Sequence, residues 1–318
     1  MEKVLVSIRC LVYNHELYLR QCLDGFVMQK TNFAFEAIVH DDASTDGSAE
    51  IIREYAEKYP DIIKPIYETE NQYSKKDGSL GRIMNAAIHP DAKYIAFCEG
   101  DDYWIDPYKL QKQFDFMENH PDYVLCVHNK KYLNQNTGQI RSEHHSVLNK
   151  NQNGFSFDLN YYCKGDWITS PLTAFFKKDA FLSIDSSKYV NFIDAILFFL
   201  LLKHGRGFLM PDVMSVYRVH SGGICSGTST NRFFLFTLKA YISLYNQEKS
   251  SYALLALRNH LKKKFFLLIY RKDFSYIIET IKICLPIKKS IIWCDLLMGI
   301  PKALRIWLSD CKQVLLQR

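Results

Sequence analysis

An α/β fold, with a mostly parallel sheet covered by helices on both faces, is what this sequence predicts, and three observations predict it. Strand-like and helix-like patterns alternate four times within about the first 100 residues. The strand candidates are β-branched, apolar runs of the kind found in buried parallel strands. Polar and acidic clusters follow these runs, at the edge where sheets of this kind bind ligands, beyond the carboxyl ends of the strands.

The elements follow in order. "VLVSIRCLV" (4–12) is β-branched and bounded by Tyr13-Asn14, a buried strand. "HELYLRQCLDGFVMQ" then places Leu19, Leu23, Phe26 and Val27 on one helical face. "FEAIVH" (35–40) is a second strand, halted by "DDASTDGS". Asp46 is the expected N-cap of "SAEIIREYAEKY", whose Ile51, Ile52, Tyr55 and Tyr59 line a stripe. "DIIKPIYE" is a third strand, "GSLGRIMNAAI" (78–88) a third helix and "KYIAFC" (93–98) a fourth strand. Residues 130–166, rich in Asn, Gln, Ser and His, read as a long loop or lid. "WITSPLTAFFKKDAF" (167–181) reads as a strand leading into a short helix. "FIDAILFFLLLKHG" (192–205) is a strongly apolar helix with Gly205 as its stop. The Gly- and Ser-rich "SGGICSGTST" marks a boundary near 222–230, beyond which helical patterns carry Lys and Arg.

Composition narrows the possible functions. With 318 residues, 48% of them hydrophobic, the chain can bury the core of one large domain or of a domain with an appendage. Its nine cysteines are scattered, odd in number and without CxxC spacing, which argues against a disulfide framework or zinc site and for a reducing cytosol. No cleavable signal is expected at the amino terminus, where Arg9 interrupts the apolar run. The longest apolar run, "AILFFLLL" (195–202), is far short of the roughly 20 residues of a membrane span, so an integral protein is not expected. Charge divides unevenly: residues 231–318 carry net +11 and residues 1–230 net −5. The basic segment interleaves its lysines with Phe, Trp, Ile and Leu, which disfavours nucleic acid. It suits either the headgroup layer of an anionic membrane or a helical subdomain with solvated lysines.

The chemistry concentrates in "YIAFCEGDDYW" (94–104), where a buried strand ends in Glu99, Gly100, Asp101 and Asp102. A second acidic pair, Asp41-Asp42, ends another strand of the same sheet. Carboxylates gathered this way repel one another unless a cation or a proton separates them. Mg²⁺ or Mn²⁺ prefers such oxygens and bridges them to phosphates, so the sheet edge is a candidate metal–diphosphate site.

"CLVYNHELYLRQCLDGF", "EAIVHDDASTDGSAEII", "GRIMNAAI" and "YIAFCEGDDYWIDPYKLQKQ", in that order and spacing, resemble the family 2 glycosyltransferases with the GT-A fold, of the bacterial polysaccharide type. The similarity covers residues 4–125 and resumes at "FIDAILFFLLLKHGRGFLMPDVMSVYRVHSGGICS". It implies a mixed, mostly parallel sheet with flanking helices in a catalytic domain spanning 1–228. Residues 1–125 would form its nucleotide-sugar half and 126–228 its acceptor half, with a basic, amphipathic helical region at 229–318. It also implies a metal-dependent, inverting transfer from a nucleotide diphosphate donor, of the UDP type, to a hydroxyl of a saccharide or lipid-linked saccharide.

Residue by residue, "EGDD" takes the place of the family's D-x-D. Glu99 stands where an aspartate is usual, Asp101 falls at the metal-binding position, and Gly100 and Asp102 complete the turn. Asp41 or Asp42 would accept the base's ring N–H, and Val12, Tyr13, Asn14 and Glu16 would line base and ribose. Arg82 matches a basic residue near the donor, or is a surface arginine. Asp194 is the candidate base for the acceptor hydroxyl, or a helix N-cap. Arg218 falls on the phosphate side, and His220 is either a metal ligand or a phosphate contact. Trp104 and Trp167 are candidate platforms for a pyranose ring, or core residues.

Other functions fit less well. A sugar-nucleotide pyrophosphorylase needs a Gly-rich basic loop where "VYNHELYLR" stands, and a response-regulator-like switch fails on length and on the second acidic cluster. A catalytically degenerate scaffold protein of the same fold is separated from an enzyme by donor turnover. The expected setting is cytoplasmic, peripheral on the inner face of the membrane.

Overall fold

The computed structural model describes residues 3–150, 153–165, 167–223, 230–270, 273–284 and 287. The chain forms two compact units, one within 1–159, 167–187 and 197–223, the other within 160–166, 188–196 and 224–318.

In the first unit, β1 (Val4–Val12) is the central strand of the amino-terminal half, flanked in parallel by β2 (Ala34–Asp41) and β4 (Tyr94–Phe97). α1 (Glu16–Val27) and α2 (Ser48–Lys58) connect these strands, and β3 (Ile63–Tyr67) adds a parallel edge to β2. Short α3 (Gln72–Lys75) and α4 (Ser79–Ala86) lead into β4. The pleat sends alternate side chains to opposite faces. Val6, Ile8, Cys10 and Val12 face one way and meet Leu19, Cys22, Leu23 and Phe26 of α1 in one buried cluster. The alternation of parallel strands and helices matches the expectation, with boundaries within two residues.

After the two-residue β5 (Tyr103–Trp104) comes α5 (Lys109–Asn119), and then the long β6 (Tyr123–Asn134). Residues 130–166 are not a structureless lid. Within them lie β7 (Ile140–Ser142), α6 (Ser146–Lys150), β8 (Phe155–Phe157) and α7 (Leu159–Cys163). What organises the polar stretch is one carboxylate. Glu143 accepts two 2.8 Å bonds from Lys130 Nζ and one of 2.8 Å from Tyr132 Oη, pinning β7 to β6. Burial alone would push the Glu143 carboxyl up, but His145, Lys130 and Tyr132 outweigh it and pull it down to about 2.

A 3-10 turn (Pro171–Thr173), β9 (Phe175–Lys177) and α8 (Lys178–Leu182) follow, then α9 (Asp194–Leu201) and β10 (Arg206–Val219). The sheet runs β3-β2-β1-β4-β9-β6-β10-β5, with β7 on β6 and β8 on β10. β9 is antiparallel to both β4 and β6, which makes the sheet mixed, as the resemblance implied. Gly205 is not a left-handed helix stop, because its φ is not positive. A Cβ there would lie 2.7 Å from the Asp122 carbonyl oxygen, so the glycine permits close approach at the start of β6.

The second unit contains α10 (Thr230–Glu248), α11 (Ser251–Tyr270) and α12 (Phe274–Cys284). Phe234, Leu238, Tyr241 and Leu244 of α10 are buried, as are Ala253, Leu257 and Leu261 of α11. His260 stacks on Tyr241 at 4.5 Å and shares a 3.0 Å hydrogen bond with Thr237. α12 exposes Phe274, Ile278 and Ile281, one face at i, i+4 and i+7. The expected linker at 222–230 and the basic segment beyond 284 fall largely outside the described residues. Among the described residues, no helix is long and apolar enough to cross a membrane.

Candidate functional site

Val12 and Asp41 are register partners, so the segments after β1 and β2 leave the sheet edge side by side. Backbone and side chain knit them together. Asn14 N donates to Ser44 Oγ (2.9 Å), Thr45 N to Asn14 Oδ1 (2.8 Å) and His15 N to Ser48 Oγ (2.9 Å). Gly47 N donates to Glu16 Oε2 (2.6 Å), and Glu16 N to Asp46 Oδ2 (3.1 Å). The N-cap of α2 is Gly47 rather than Asp46. The Asp46 carboxylate instead serves two helix starts at once, taking Ser48 N (3.0 Å) as well as Glu16 N. Asn14 (φ 55°) and Ala43 (φ 61°) hold left-handed backbone in these two loops, a conformation that strains alanine.

The two aspartates that end β2 do different work. Asp42 spends both oxygens on backbone, accepting Gln72 N (2.6 Å) and Tyr73 N (3.0 Å), and so fastens the first turn of α3. Asp41 is equally buried, but its Oδ1 has no hydrogen-bond partner. Burial pushes its carboxyl up, and hydrogen bonds from Ser44 only partly offset the push.

Beyond β4 the ladder to β1 continues through Cys98 N to Arg9 O (3.1 Å) and Gly100 N to Leu11 O (3.0 Å). A side chain at position 100 has no room, since a Cβ would stand 2.8 Å from His15 Nδ1 and 3.0 Å from Val12 Cγ2. Half-buried Glu99 turns its carbonyl to Asp102 N (3.1 Å) and to Cys22 Sγ (3.4 Å). Below it, Cys22 lies 3.9 Å from both Cys10 and Cys98, a dry floor of free thiols.

β10 supplies the other wall. Arg218 N donates to Asp102 Oδ1 (2.7 Å), and its guanidinium binds Asp101 O (2.8 Å), Gln135 Oε1 (2.6 Å) and Gln21 Oε1 (2.7 Å). With Tyr18 and Tyr103 against that guanidinium, Arg218 is a buried clamp on the acidic turn. Burial, then the neighbouring charge of Asp101, pushes the Asp102 carboxyl well up. Asp101 Oδ2 lies 3.0 Å from His220 Nε2. Residues 101 and 220, 119 apart in the chain, therefore meet next to His15 of the "YNHE" loop at one sheet edge.

The donor set suits a divalent cation. Two ligands at right angles and about 2.1 Å from an ion stand about 3 Å apart, as Asp101 Oδ2 and His220 Nε2 do. Beside them, His15 Nδ1 is buried without a hydrogen-bond partner. Burial pulls the His15 imidazole down, with Asp101 opposing and His220 assisting. His15 was not singled out in the sequence, although "YNHE" carried it into the motif. Among the described residues no group of three or more such side chains forms a complete protein-only site. A cation held by these groups would need further ligands from outside the protein, such as phosphate oxygens or water.

The other sequence-derived residues are placed as follows. Trp104 is corrected to a core residue: it is 2% exposed, donates Nε1–H to Leu172 O (3.3 Å), meets Phe26 edge-on and faces Lys109 Nζ at 3.9 Å, leaving no face for a sugar. Trp167 is 62% exposed. Arg82 is solvent-facing and reaches the Asp77 carbonyl (2.9 Å) rather than the acidic turn. Tyr13 is exposed at the mouth of the knitted loops. In the second unit, Asp194 is the first residue of α9 rather than its cap. It stays within reach of solvent while the surrounding protein pushes its carboxyl up to about 6.

Comparison with known proteins adds the following. Residues 7–184 match the sequence profile described as Glycosyl transferase family 2. A protein of Mycobacterium tuberculosis is 32% identical over 230 residues, which cover 71% of this chain and 62% of that relative, less than two thirds of its length. A glycosyltransferase of Methanocaldococcus jannaschii is 33% identical over 147 residues, 45% of this chain and 47% of that protein. Residues 1–349 of S. aureus TarS, solved in complex with UDP-GlcNAc, superpose with a TM-score of 0.65 at 17% identity, over 87% of this chain and 79% of that one. The mannosyltransferase PcManGT from Pyrobaculum calidifontis, in complex with GDP-Man and Mn²⁺, superposes with a TM-score of 0.56 at 16% identity, over 96% and 83%. These superpositions show a shared fold, the GT-A fold.

Proposed function

The chain belongs to glycosyl transferase family 2, and on that premise we propose that it moves a sugar, with inversion, from a UDP-type donor to a hydroxyl of a saccharide or lipid-linked saccharide. The observation that carries this reading is the 3.0 Å approach of Asp101 to His220, on the sheet edge where β2 also ends in Asp41 with an unpartnered oxygen. The UDP-GlcNAc complex of TarS and the Mn²⁺ complex of PcManGT support the donor class and the ion.

Asp41, not Asp42, is assigned to the base: Asp42 has both oxygens committed to amides, whereas Asp41 Oδ1 is left to accept a ring N–H. Val12, Tyr13, Asn14 and Glu16 form the loop that flanks base and ribose, held in place by its bonds to the Ser44–Ser48 segment. Gly100 lets the acidic turn pack directly against Val12 and His15 of the base-side loop, and Arg218 with Asp102 fixes the turn that presents Asp101. Asp101 and His220 would hold Mn²⁺ or Mg²⁺, which when bound offsets negative charge on the departing diphosphate. Arg82 would meet the donor from solvent and Trp167 would offer a ring to the acceptor. Asp194, with its carboxyl pushed up to about 6, takes the proton from the attacking hydroxyl. Inversion then needs one in-line displacement at the anomeric carbon. Residues 1–125 are assigned to the donor and 126–228 to the acceptor.

The test is a thermal-shift screen of nucleotide sugars with and without Mn²⁺. The right donor raises the melting temperature through its binding to the folded state, and more so with metal. If no nucleoside diphosphate or nucleotide sugar shifts the melt in the presence of metal, the donor site is misassigned.

We also propose a peripheral position on an anionic, cytoplasmic membrane face. Two features support it: the exposed Phe274, Ile278 and Ile281 face and the net charge of +11 over residues 231–318. Its test is co-sedimentation with anionic liposomes.

A further inference from the structure

One cation in the first unit has no work in the mechanism above. Arg9 sits in the middle of β1, between β2 and β4, where a strand interior ordinarily carries an apolar side chain. Its register partner on β4 is Phe97. The guanidinium carbon lies 5.1 Å from the Phe97 ring centroid and 5.0 Å from that of Phe181. Two rings thus hold the guanidinium while no carboxylate lies within ion-pair distance among the described residues. Nε is sealed from solvent without a hydrogen-bond partner, and no hydrogen bond from the guanidinium reaches any described residue. The residue as a whole keeps partial access to solvent. Burial pulls Arg9 down to about 10, with the charge of Glu99 opposing, so it stays a cation at neutral pH.

Arg218 makes the contrast plain: its guanidinium, in the same unit, has three protein acceptors and two aromatic neighbours. The sealed Nε of Arg9 is costly without an acceptor, and its terminal nitrogens remain open to one from outside the protein. The pleat puts Arg9, Phe97 and Glu99 on one sheet face, with Arg9 one layer below the edge where the donor site lies. We propose that Arg9 is an oxyanion-binding residue, whose planar fork receives a carboxylate or phosphate carried by a substrate. Arginine suits this chemistry because its rigid fork matches two oxygens at once, and flanking rings restrict the plane in which they must lie. Two sources share that chemistry: a carboxylate on the transferred sugar, which rests on the donor reading above, and a phosphate on the acceptor, which does not.

The experiment compares the full chain with Arg9→Met, which keeps an apolar stem between the two rings, and Arg9→Lys, which keeps charge but loses the fork. Calorimetry with UDP, UDP-glucose and UDP-glucuronate, each with Mn²⁺, forms the first arm, and melting in inorganic phosphate the second. UDP affinity should stay within about twofold in both variants. If the donor carries the oxyanion, the unaltered chain prefers UDP-glucuronate to UDP-glucose by about tenfold; Arg9→Met erases that preference and Arg9→Lys keeps part of it. If the acceptor carries it, phosphate raises the melting temperature of the unaltered chain and not that of Arg9→Met. Equal responses of the unaltered chain and Arg9→Met to both anionic probes overturn the proposal. So does a loss of UDP-glucose binding as large as that of UDP-glucuronate. Should the unaltered chain bind no UDP at all, the donor reading falls, and the phosphate arm still decides Arg9. If Arg9→Met does not fold, Arg9→Lys carries both comparisons.

Discussion

Neighbouring residues of one chemical type have parted company here, and the split is measurable. Asp42→Ala removes the acceptor of two backbone amides at α3, and a loss of about 1–2 kcal/mol is expected in urea unfolding. Asp41→Asn should leave the urea midpoint nearly unchanged and weaken UDP binding by about tenfold, because it removes an acceptor that the protein itself does not use. The reverse pattern would exchange the two assignments. Asp194→Asn separates catalysis from stability. With the folded carboxyl at about 6 and an unfolded one near 3.9, the folded state binds more protons between those values, so stability falls as pH rises through that window. Because Asp194 is exposed, solvent screens most of this effect and the variant should melt at nearly the same temperature at pH 8, while turnover drops by about a hundredfold or more. Turnover of the unaltered chain should climb as pH passes about 6, and an Asn variant with unchanged turnover would falsify the base assignment. The sequence had the acidic motifs, Asp101 and His220 in view. It left Asp41 and Asp42 open, since the difference between them lies in the amides of Gln72 and Tyr73, about 30 residues on. Trp104 was beyond it as well, because the partners that bury it, Phe26, Leu172 and Lys109, come from three separate segments.

Elements with a clear period were legible, and those organised by a single polar contact were not. β1 through β4 and their helices stand where the apolar runs put them. β7, by contrast, consists of three exposed residues with no apolar signature, and it exists through the ion pair of Lys130 with Glu143. α5 holds another surprise: Lys109 is fully buried, with its ammonium donating to Gln113 Oε1 (2.8 Å) over the Trp104 ring. Burial pulls it down to about 7, against about 10.4 in an unfolded chain. Between these values the unfolded state binds the extra proton, so stability should rise with pH, by up to about 1.4 kcal/mol per unit. Lys109→Met should abolish that slope and raise the melting temperature at pH 7. A slope equal in both proteins would mean that the ammonium is better compensated than its contacts imply.

At the scale of the whole molecule, the asymmetry of charge predicts behaviour that no single residue does. Removing residues 231–318 takes away the +11 and the α12 face, so pelleting with anionic liposomes should be lost, and pelleting of the intact chain should weaken as salt rises. Equal pelleting with and without the segment would remove the membrane assignment. The expectation placed a boundary near 222–230 on a composition shift, whereas the second compact unit also takes in residues 160–166 and 188–196. Composition could not show this, because membership is decided by bonds such as Tyr162 to Ala195 O and Asn259 to Cys163 O.

β10 pairs with β6 through irregular register between Met210 and Ser215, where Met210 opposes His128, Val213 opposes Asn129 and Ser215 opposes Lys130. Three surplus residues are swallowed there, an odd number, and parity is what matters in a pleated ribbon. Delete one of them and every later side chain rolls over: the arginine that grips the acidic turn swings outward and its histidine neighbour two places on goes with it. The placement of Arg218 and His220 against the acidic turn thus hangs on a counting rule, set at a kink several residues upstream.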